Sequence, residues 1–270
     1  MPKNIQIAIA GGNGNMGTLL SEFIESKDGF EVSGIYNGKD GSKSSKYHNF
    51  QTIKDIKGDY LFVFVPASVI RGFIKRLWIT LEITELKGIV IGSSGLCMEK
   101  DSKMIREYAD KNNKIGCVIP NFSIGAMYQK IMSKQLDDNF DSVSIVEKHN
   151  IKKIDYPSGT TIDLVNSLKD KEFYRGEPKK IAETNEEETI EKETEVPNRK
   201  IKSVKSIRSQ EYMAEQIVNF ENEHENLIIE HIVNDRKAYL DGINLVLDSL
   251  SKMSGFYYGL ESILKNRFKI

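Results

Sequence analysis

Six alternating residues, Ile5-Gln6-Ile7-Ala8-Ile9-Ala10, run directly into Gly11-Gly12-Asn13-Gly14-Asn15-Met16-Gly17, and a helix pattern continues from Thr18 to Ser26. A buried strand that passes through closely spaced glycines into a helix leaves few folds open. Glycines let a phosphate approach the backbone, and the helix N-terminus supplies N–H donors, which is how a dinucleotide pyrophosphate docks. The spacing is Gly-x-x-Gly-x-x-Gly rather than the commoner Gly-x-Gly-x-x-Gly, so a plain tight turn is the competing reading of the motif alone. Context favours the nucleotide. Apolar runs recur at Phe30 to Tyr36, Tyr60 to Val65, Gly88 to Gly92 and Ile115 to Ile119, with helical stretches at Ala67 to Trp78 and Glu99 to Lys111. Strands alternating with helices imply right-handed crossovers and a parallel sheet covered on both faces.

After residue 120 the pattern changes. Ile124 to Leu136 is helical, Ser142 to Lys148 alternates as a strand, and Thr160 to Leu168 is helical. Ile201 to Ile207, Met213 to Phe220 and Leu227 to Ile232 are three strand-like runs in close succession. They suit a second, mostly antiparallel or mixed sheet with helices on one side. Arg236 to Lys252 reads as one long amphipathic helix, and Ser254-Gly255 breaks it before a short C-terminal helix. Glu183 to Arg199 is rich in glutamate without apolar periodicity and reads as a mobile surface loop or sheet connection. The expected fold class is therefore α/β: an N-terminal Rossmann-like dinucleotide-binding domain followed by an α+β substrate domain.

Bulk properties exclude several functions. The 270 residues suffice for one large domain or two modest ones. A net charge of -1 provides no basic field for nucleic acid. No apolar run approaches the roughly 20 residues that span a bilayer, and Met1-Pro2-Lys3-Asn4 leads into the first strand without the apolar core of a signal peptide. A cytoplasmic protein without membrane or nucleic-acid partners is expected. Cys97 and Cys117 lack metal-ligand spacing and read as reduced packing residues, so no metal is expected.

The chemistry concentrates in Glu147-Lys148-His149-Asn150-Ile151-Lys152-Lys153-Ile154-Asp155-Tyr156-Pro157-Ser158-Gly159-Thr160-Thr161. One imidazole, two adjacent ammonium groups and a Ser-Gly-Thr turn precede a helix. Donors at a helix N-terminus hold one carboxylate, a lysine holds another, and a histidine moves a proton. That set suits a small dianion. Lys152, next to Lys153, is expected to face the other way in an extended segment, and His231 to be a packed or hydrogen-bonded structural residue. Cofactor choice is read at the end of the second strand, where Asn37 and Lys39 stand in place of an acidic residue. Without that carboxylate nothing repels a 2′-phosphate, so NADPH is expected over NADH.

The glycine loop with Met16, the Gly92-Ser93-Ser94-Gly95 turn, Pro120-Asn121-Phe122-Ser123-Ile124-Gly125 and the His149 segment follow one another in an order that resembles the 4-hydroxy-tetrahydrodipicolinate (dihydrodipicolinate) reductases. The likeness extends to Glu230-His231, Arg236 and Asp241-Gly242. It implies NAD(P)H-dependent reduction of a cyclic dicarboxylate imine, with release of water, in lysine and diaminopimelate biosynthesis. It also implies a nucleotide domain of residues 1–120 with 244–270, a substrate domain of residues 121–243, and a homotetramer built through the second sheet. In that likeness His149 is the general acid, and Lys153 binds a carboxylate and donates a proton. Ser158, Gly159 and Thr160 hold the other carboxylate. Gly11, Gly14, Asn15, Met16 and Gly17 cradle the cofactor with Asn37 and Lys39. Gly92 and Ser94 lie near the nicotinamide, and Asn121 and Phe122 line its cleft.

The chain departs from the family pattern in places. Asn150 replaces a second histidine; its amide can still donate to a carboxylate. Val63 and Val65 replace polar residues, Ser209-Gln210 stands where Ala-Gly is usual, and Ala214-Glu215-Gln216 replaces Gly-Glu-His. The rival expectations are a reductase of another cyclic imine or amino acid, and a non-catalytic nucleotide-binding paralogue.

Overall fold

A computed structural model describes residues 4–38, 46–81, 85–93, 96, 98–168, 179–183, 190–194 and 201–268. Lys39, Ser94 and Cys97 lie outside the described residues. The chain divides into two compact units, residues 1–122 with 240–270 and residues 123–239. The divisions fall two and four residues from those expected. Ser123 caps the first helix of the second unit, and Leu240 begins the helix that returns to the first.

In chain order, the first unit contributes β1 (Ile5–Ala10), α1 (Asn15–Glu25), β2 (Phe30–Tyr36), β3 (Tyr60–Val63), α2 (Ala67–Leu81), β4 (Gly88–Ile91), α3 (Met98–Asn112) and β5 (Ile115–Val118). The second contributes α4 (Ile124–Leu136), β6 (Ser142–Asn150), α5 (Gly159–Ser167), β7 (Lys179–Glu183), β8 (Ile190–Thr194), β9 (Ile201–Ser209), β10 (Ala214–Glu221) and β11 (Asn226–Val233). The chain then returns to the first unit with α6 (Leu240–Ser249), β12 (Gly255–Tyr258) and α7 (Leu260–Phe268).

The first sheet has the order β12-β5-β4-β3-β1-β2 and is parallel throughout. Its inner strands are apolar on both faces because both faces are covered; Ile7, Ile9, Leu61, Val63, Ile89 and Ile91 are fully buried. The strand-to-helix loops leave together from one edge of this sheet. There the Gly11 amide donates to Tyr36 O (2.7 Å), the Phe64 amide to Ala10 O (2.8 Å) and the Gly92 amide to Val63 O (2.9 Å). Carboxyl ends of parallel strands are where such sheets bind ligands.

The second sheet is mixed, in the order β11-β10-β6-β9-β8-β7, with β6 and β9 parallel and the other neighbours antiparallel. One face carries α5, whose Leu164 and Val165 pack with Val143, Ile145, Val204, Val218 and Phe220. Gln129 of α4 donates to the carbonyls of Gln216 (2.8 Å) and Ile229 (2.9 Å), and Lys130 pairs with Asp163 of α5 at 2.7 Å. No helix among the described residues is long and apolar enough to cross a membrane.

Several elements differ from expectation, each for a non-local reason. β6 continues two residues past Lys148, because His149 pairs with both Ala214 and Arg208 and Asn150 pairs with Ser209. β8 lies inside the glutamate-rich stretch, expected to be a surface loop or sheet connection: Ile190 sits opposite Arg208 in the ladder with β9. The break at Gly255 is also the start of β12, a sixth strand whose partner β5 lies far away in sequence. Arg236 to Lys252 is a 3-10 turn, α6 and a second 3-10 turn rather than one helix.

A Cβ on Gly242 in α6 would lie 1.9 Å from the Phe122 carbonyl oxygen, whereas one on Gly72 in α2 meets nothing within 4 Å. Glycine inside a helix is ordinarily worse than alanine by about 0.5–1 kcal/mol. Gly72→Ala should therefore raise the thermal unfolding midpoint, while Gly242→Ala should lower it through overpacking of roughly 1–3 kcal/mol or more. Scanning calorimetry of both variants checks the opposite signs.

Candidate active site

On β6 the residues Val143, Ile145, Glu147 and His149 share one face, since side chains alternate along a strand. Val143 and Ile145 are buried in the core under α5. Glu147 continues that inward row and is fully buried. Its Oε2 lies 2.6 Å from His149 Nδ1. Its Oε1 accepts from the Ser158 backbone amide (3.1 Å) and from Arg208 Nη2 (2.8 Å).

Arg208 occupies the matching inward position on β9, opposite His149 in the parallel register, and is also fully buried. Its Nε donates to Lys153 O (3.3 Å), Nη2 to Asp155 O (2.7 Å) and Nη1 to Ile207 O (2.8 Å). The guanidinium stacks 4.3 Å from the Tyr156 ring centre. Arginine suits this position because its planar fork satisfies several acceptors and a ring face at once. Burial pushes the Glu147 carboxyl up. The His149 contact, the His149 and Arg208 charges and the Ser206 hydroxyl outweigh that and bring it from 4.5 down to about 2. Glu147 is thus an anion inside the unit.

The loop after β6 is a turn, not an extended segment. Lys153 N donates to Asn150 O (2.9 Å), and Lys152 N to the Asn150 side-chain oxygen (3.2 Å). Asn150 Nδ2 reaches Gln210 O at 3.5 Å. Asn150 therefore builds the turn that presents the lysines, a task its short amide performs well. Lys152 points into solvent. Lys153 is half-buried and forms a forked pair with Asp155, at 2.8 and 2.9 Å.

Ser158 is the N-cap of α5: its hydroxyl accepts from the Thr161 amide (3.2 Å) and lies 3.0 Å from Thr161 Oγ1. Gln216 Nε2 donates to the same Thr161 hydroxyl at 2.7 Å. The Ser158 amide is engaged by Glu147, and its hydroxyl caps the helix start. Gly159 and Thr160 form the first turn, where helix geometry aims N–H groups outward with the positive end of the dipole. His149, Lys153 and the α5 N-terminus are gathered around the Glu147–Arg208 pair. His231, as expected, is structural: its Nε2 lies 3.0 Å from Ser123 Oγ, and burial lowers its pKa.

In the first unit, the glycine loop has the form of a nucleotide cradle. Gly11 has φ +82°, and a Cβ there would lie 2.5 Å from Phe64 O. A Cβ on Gly17 would lie 2.3 Å from Gly11 O, so the helix packs directly on the loop. Gly14 is the N-cap of α1, with Asn15 and Met16 in its first turn. The Asn37 side-chain oxygen accepts from the Asn13 amide at 2.9 Å, and its Nδ2 is buried with no hydrogen-bond partner among the described residues. The close-packed glycines, the open helix N-terminus and this amide donor fit a dinucleotide. Gly92 is glycine because a Cβ would meet the rings of Phe64 (2.4 Å) and Phe122 (2.7 Å). Phe122 is itself buried against Phe64, with ring centres 5.8 Å apart, and Asn121 precedes it at the end of the unit.

Glu147 and Arg208 were not singled out as functional in the sequence. Their signal is a charged residue continuing an inward, buried row, Val143-Ile145-Glu147 on one strand and Val204-Ser206-Arg208 on the other.

Comparison with known proteins follows this geometry. Residues 5–122 match the family described as dihydrodipicolinate reductase, N-terminus, and residues 124–264 match dihydrodipicolinate reductase, C-terminus. A 4-hydroxy-tetrahydrodipicolinate reductase of Dictyoglomus turgidum is 28% identical over 279 residues, covering 96% of this chain and 98% of the relative. The Carboxydothermus hydrogenoformans protein of the same name is 34% identical over 186 residues, 65% of this chain and 64% of its own. Among solved structures, a dipicolinate-bound dihydrodipicolinate reductase from Paenisporosarcina sp. TG-14 shares the fold with a TM-score of 0.70 at 21% identity, covering 96% of this chain and 98% of that one. With both halves of the family matched in order along nearly the whole chain, the protein belongs to the dihydrodipicolinate reductase family.

Proposed function

We propose that the chain reduces 4-hydroxy-tetrahydrodipicolinate to tetrahydrodipicolinate with release of water, as an NAD(P)H-dependent reductase of lysine and diaminopimelate biosynthesis. One observation carries this reading for a member of the family: an imidazole and a helix N-terminus meet on one buried carboxylate, whose arginine partner holds the backbone of the turn that bears Lys153. It fits a cytoplasmic biosynthetic enzyme better than a non-catalytic nucleotide binder, which needs no proton donor beside an anion cradle.

The nicotinamide cofactor, when bound at the glycine loop, supplies the hydride that reduces the conjugated imine. The remaining work falls to the chain. The first turn of α5, with Gly159 and Thr160, takes one ring carboxylate by its N–H groups and dipole. Lys153 takes the other; its exposed pairing with Asp155 is of the kind worth at most about 1 kcal/mol, so substrate can replace it cheaply. His149, with Nδ1 held against Glu147, presents Nε2 as the proton-carrying atom that quenches the electron density left by reduction. Holding both carboxylates leaves the ring little freedom to turn, which supplies orientation. Asn150 acts through the turn it closes.

At the cofactor ribose, Asn37 offers an amide N–H and no negative charge, which supports NADPH over NADH. For the assembly, β10 and β11 carry Ile217, Ile228 and Ile232 on the face opposite α4 and α5, with Ile228 60% and Ile232 48% exposed. Apolar residues on an uncovered sheet face favour burial against another copy, which supports a homotetramer.

Coupled to the synthase that makes the substrate, the purified protein should oxidise NADPH; absence of substrate-dependent oxidation would sink the assignment. His149→Ala should lower kcat by about 10²- to 10⁴-fold with cofactor affinity unchanged. Lys153→Ala should lower kcat and raise KM by roughly 10-fold or more, the worth of a charged hydrogen bond. Steady-state kinetics should give NADPH the higher kcat/KM. Light scattering should return four times the 30.7 kDa chain mass.

A further inference from the structure

The reduction needs two things held in register: the atom that gives the proton and the donors that hold the carboxylate. In this fold they come from different elements, His149 from β6 and the anion cradle from α5. The Glu147 side chain touches both. Oε2 meets His149 Nδ1 at 2.6 Å, and Oε1 accepts from the amide of Ser158, the cap residue of α5, at 3.1 Å. In a capping box the cap residue's own N–H is satisfied from within, by a glutamate or glutamine at position three. Here position three is Thr161, whose hydroxyl serves Ser158 Oγ and Gln216 instead. The cap amide is therefore bound from the strand that bears the histidine.

We propose that Glu147 is a positioning residue of the reaction, which sets the tautomer of His149 and fixes the α5 N-terminus relative to it, with Arg208 as its buried counter-ion. This rests on the reading of the segment as the reductase's substrate site. A carboxylate can only accept hydrogen bonds, so it selects the imidazole form with the proton on Nδ1. Nε2 then stays free to take up and hand over the transferable proton. Glutamine in its place offers an N–H to Nδ1 and selects the other tautomer, whose Nε2 already carries its proton and gives it up poorly. Arg208 extends the same control to Lys153. It holds the carbonyls of Lys153 and Asp155 on either side of the exposed turn residue Ile154. A purely structural ion pair would not need its two carboxylate oxygens divided between two functional elements, because apolar side chains of similar volume fill such space as well or better.

The direct test is ¹⁵N NMR of the full chain with labelled histidine. Its four histidines are told apart by the signal lost in His149→Ala. The neutral form of His149 should carry its proton on Nδ1, against the Nε2–H form that imidazole favours in water. A neutral Nε2–H form overturns the proposal. This readout does not depend on turnover, so it stands even if NADPH oxidation fails and the reductase reading falls. In Glu147→Gln, kcat should drop by roughly 10²- to 10⁴-fold, as when a histidine is held in the wrong tautomer. Affinity for pyridine-2,6-dicarboxylate should weaken about 10-fold or more, with NADPH affinity unchanged. If circular dichroism shows that this variant does not fold, Glu147→Gln with Arg208→Met removes the stranded charge and takes its place. Wild-type kcat in a folded protein lacking Glu147 overturns the role.

Discussion

A carboxylate and a guanidinium, both shut away from water, organise the second unit. Isolated, either charge would be very costly at that depth; together, with Oε1 hydrogen-bonded to the Ser158 amide and Arg208, Oε2 2.6 Å from the His149 ring and most guanidinium N–H groups engaged, the cost is largely offset. The arrangement is all-or-none. Glu147 reaches His149, Ser158 and Arg208, and Arg208 reaches the carbonyls of Lys153 and Asp155 and the face of Tyr156. A shift in one member would leave a buried charge with a missing partner. The β6–α5 connection, which carries Lys153, is held by Arg208 at two of its backbone carbonyls. Because its folded pKa is lowered from 4.5 to about 2, the stability Glu147 contributes is fully present above pH 4.5 and is lost as pH falls towards 2.

The first unit solves a different problem by absence of side chains. Backbone approach there is set by positions where a single Cβ would collide: Gly11 with Phe64 O, Gly17 with Gly11 O, Gly92 with two phenyl rings, Gly242 with Phe122 O. The first two bring α1 close under the loop, so that its N-terminal dipole faces any phosphate placed there. The last two pack the loop after β4 and the returning α6 around Phe122. The glycine loop is thus shaped by close packing, whereas the candidate site of the second unit is shaped by charge.

Legibility in the sequence followed the range of the interactions. The strand-glycine-helix opening, the alternating strands and helices, and the segment from His149 to Thr160 rest on contacts within a few residues, and their periodicity shows in the chain. β12 and β8 do not. Each is four or five residues long and exists because of a partner strand elsewhere, β5 or β9. Arg208 was hidden for the same reason, since its meaning lies in facing His149 across a parallel ladder. Glu147 was nearer to view, two residues before His149 on the same strand face. An inward-pointing acid amid valine and isoleucine requires a buried partner, and that inference is open to sequence reasoning even though the partner's identity is not.

Asn150 shows how a departure from a family pattern can be read once its surroundings are known. As a replacement for histidine it reads as an amide donor to a carboxylate. In place, its carbonyl takes the Lys153 amide and its side-chain oxygen takes the Lys152 amide, so it closes the turn from which Lys153 emerges. The site then holds two ion pairs of opposite character. Lys153 with Asp155 is partly exposed, and water can replace either partner, so the pair is free to open. Glu147 with Arg208 has no water to turn to and stays closed. The exchangeable pair is carried on a turn that the fixed pair holds by its backbone. The lysine can therefore change partners while the histidine and the helix end keep their places.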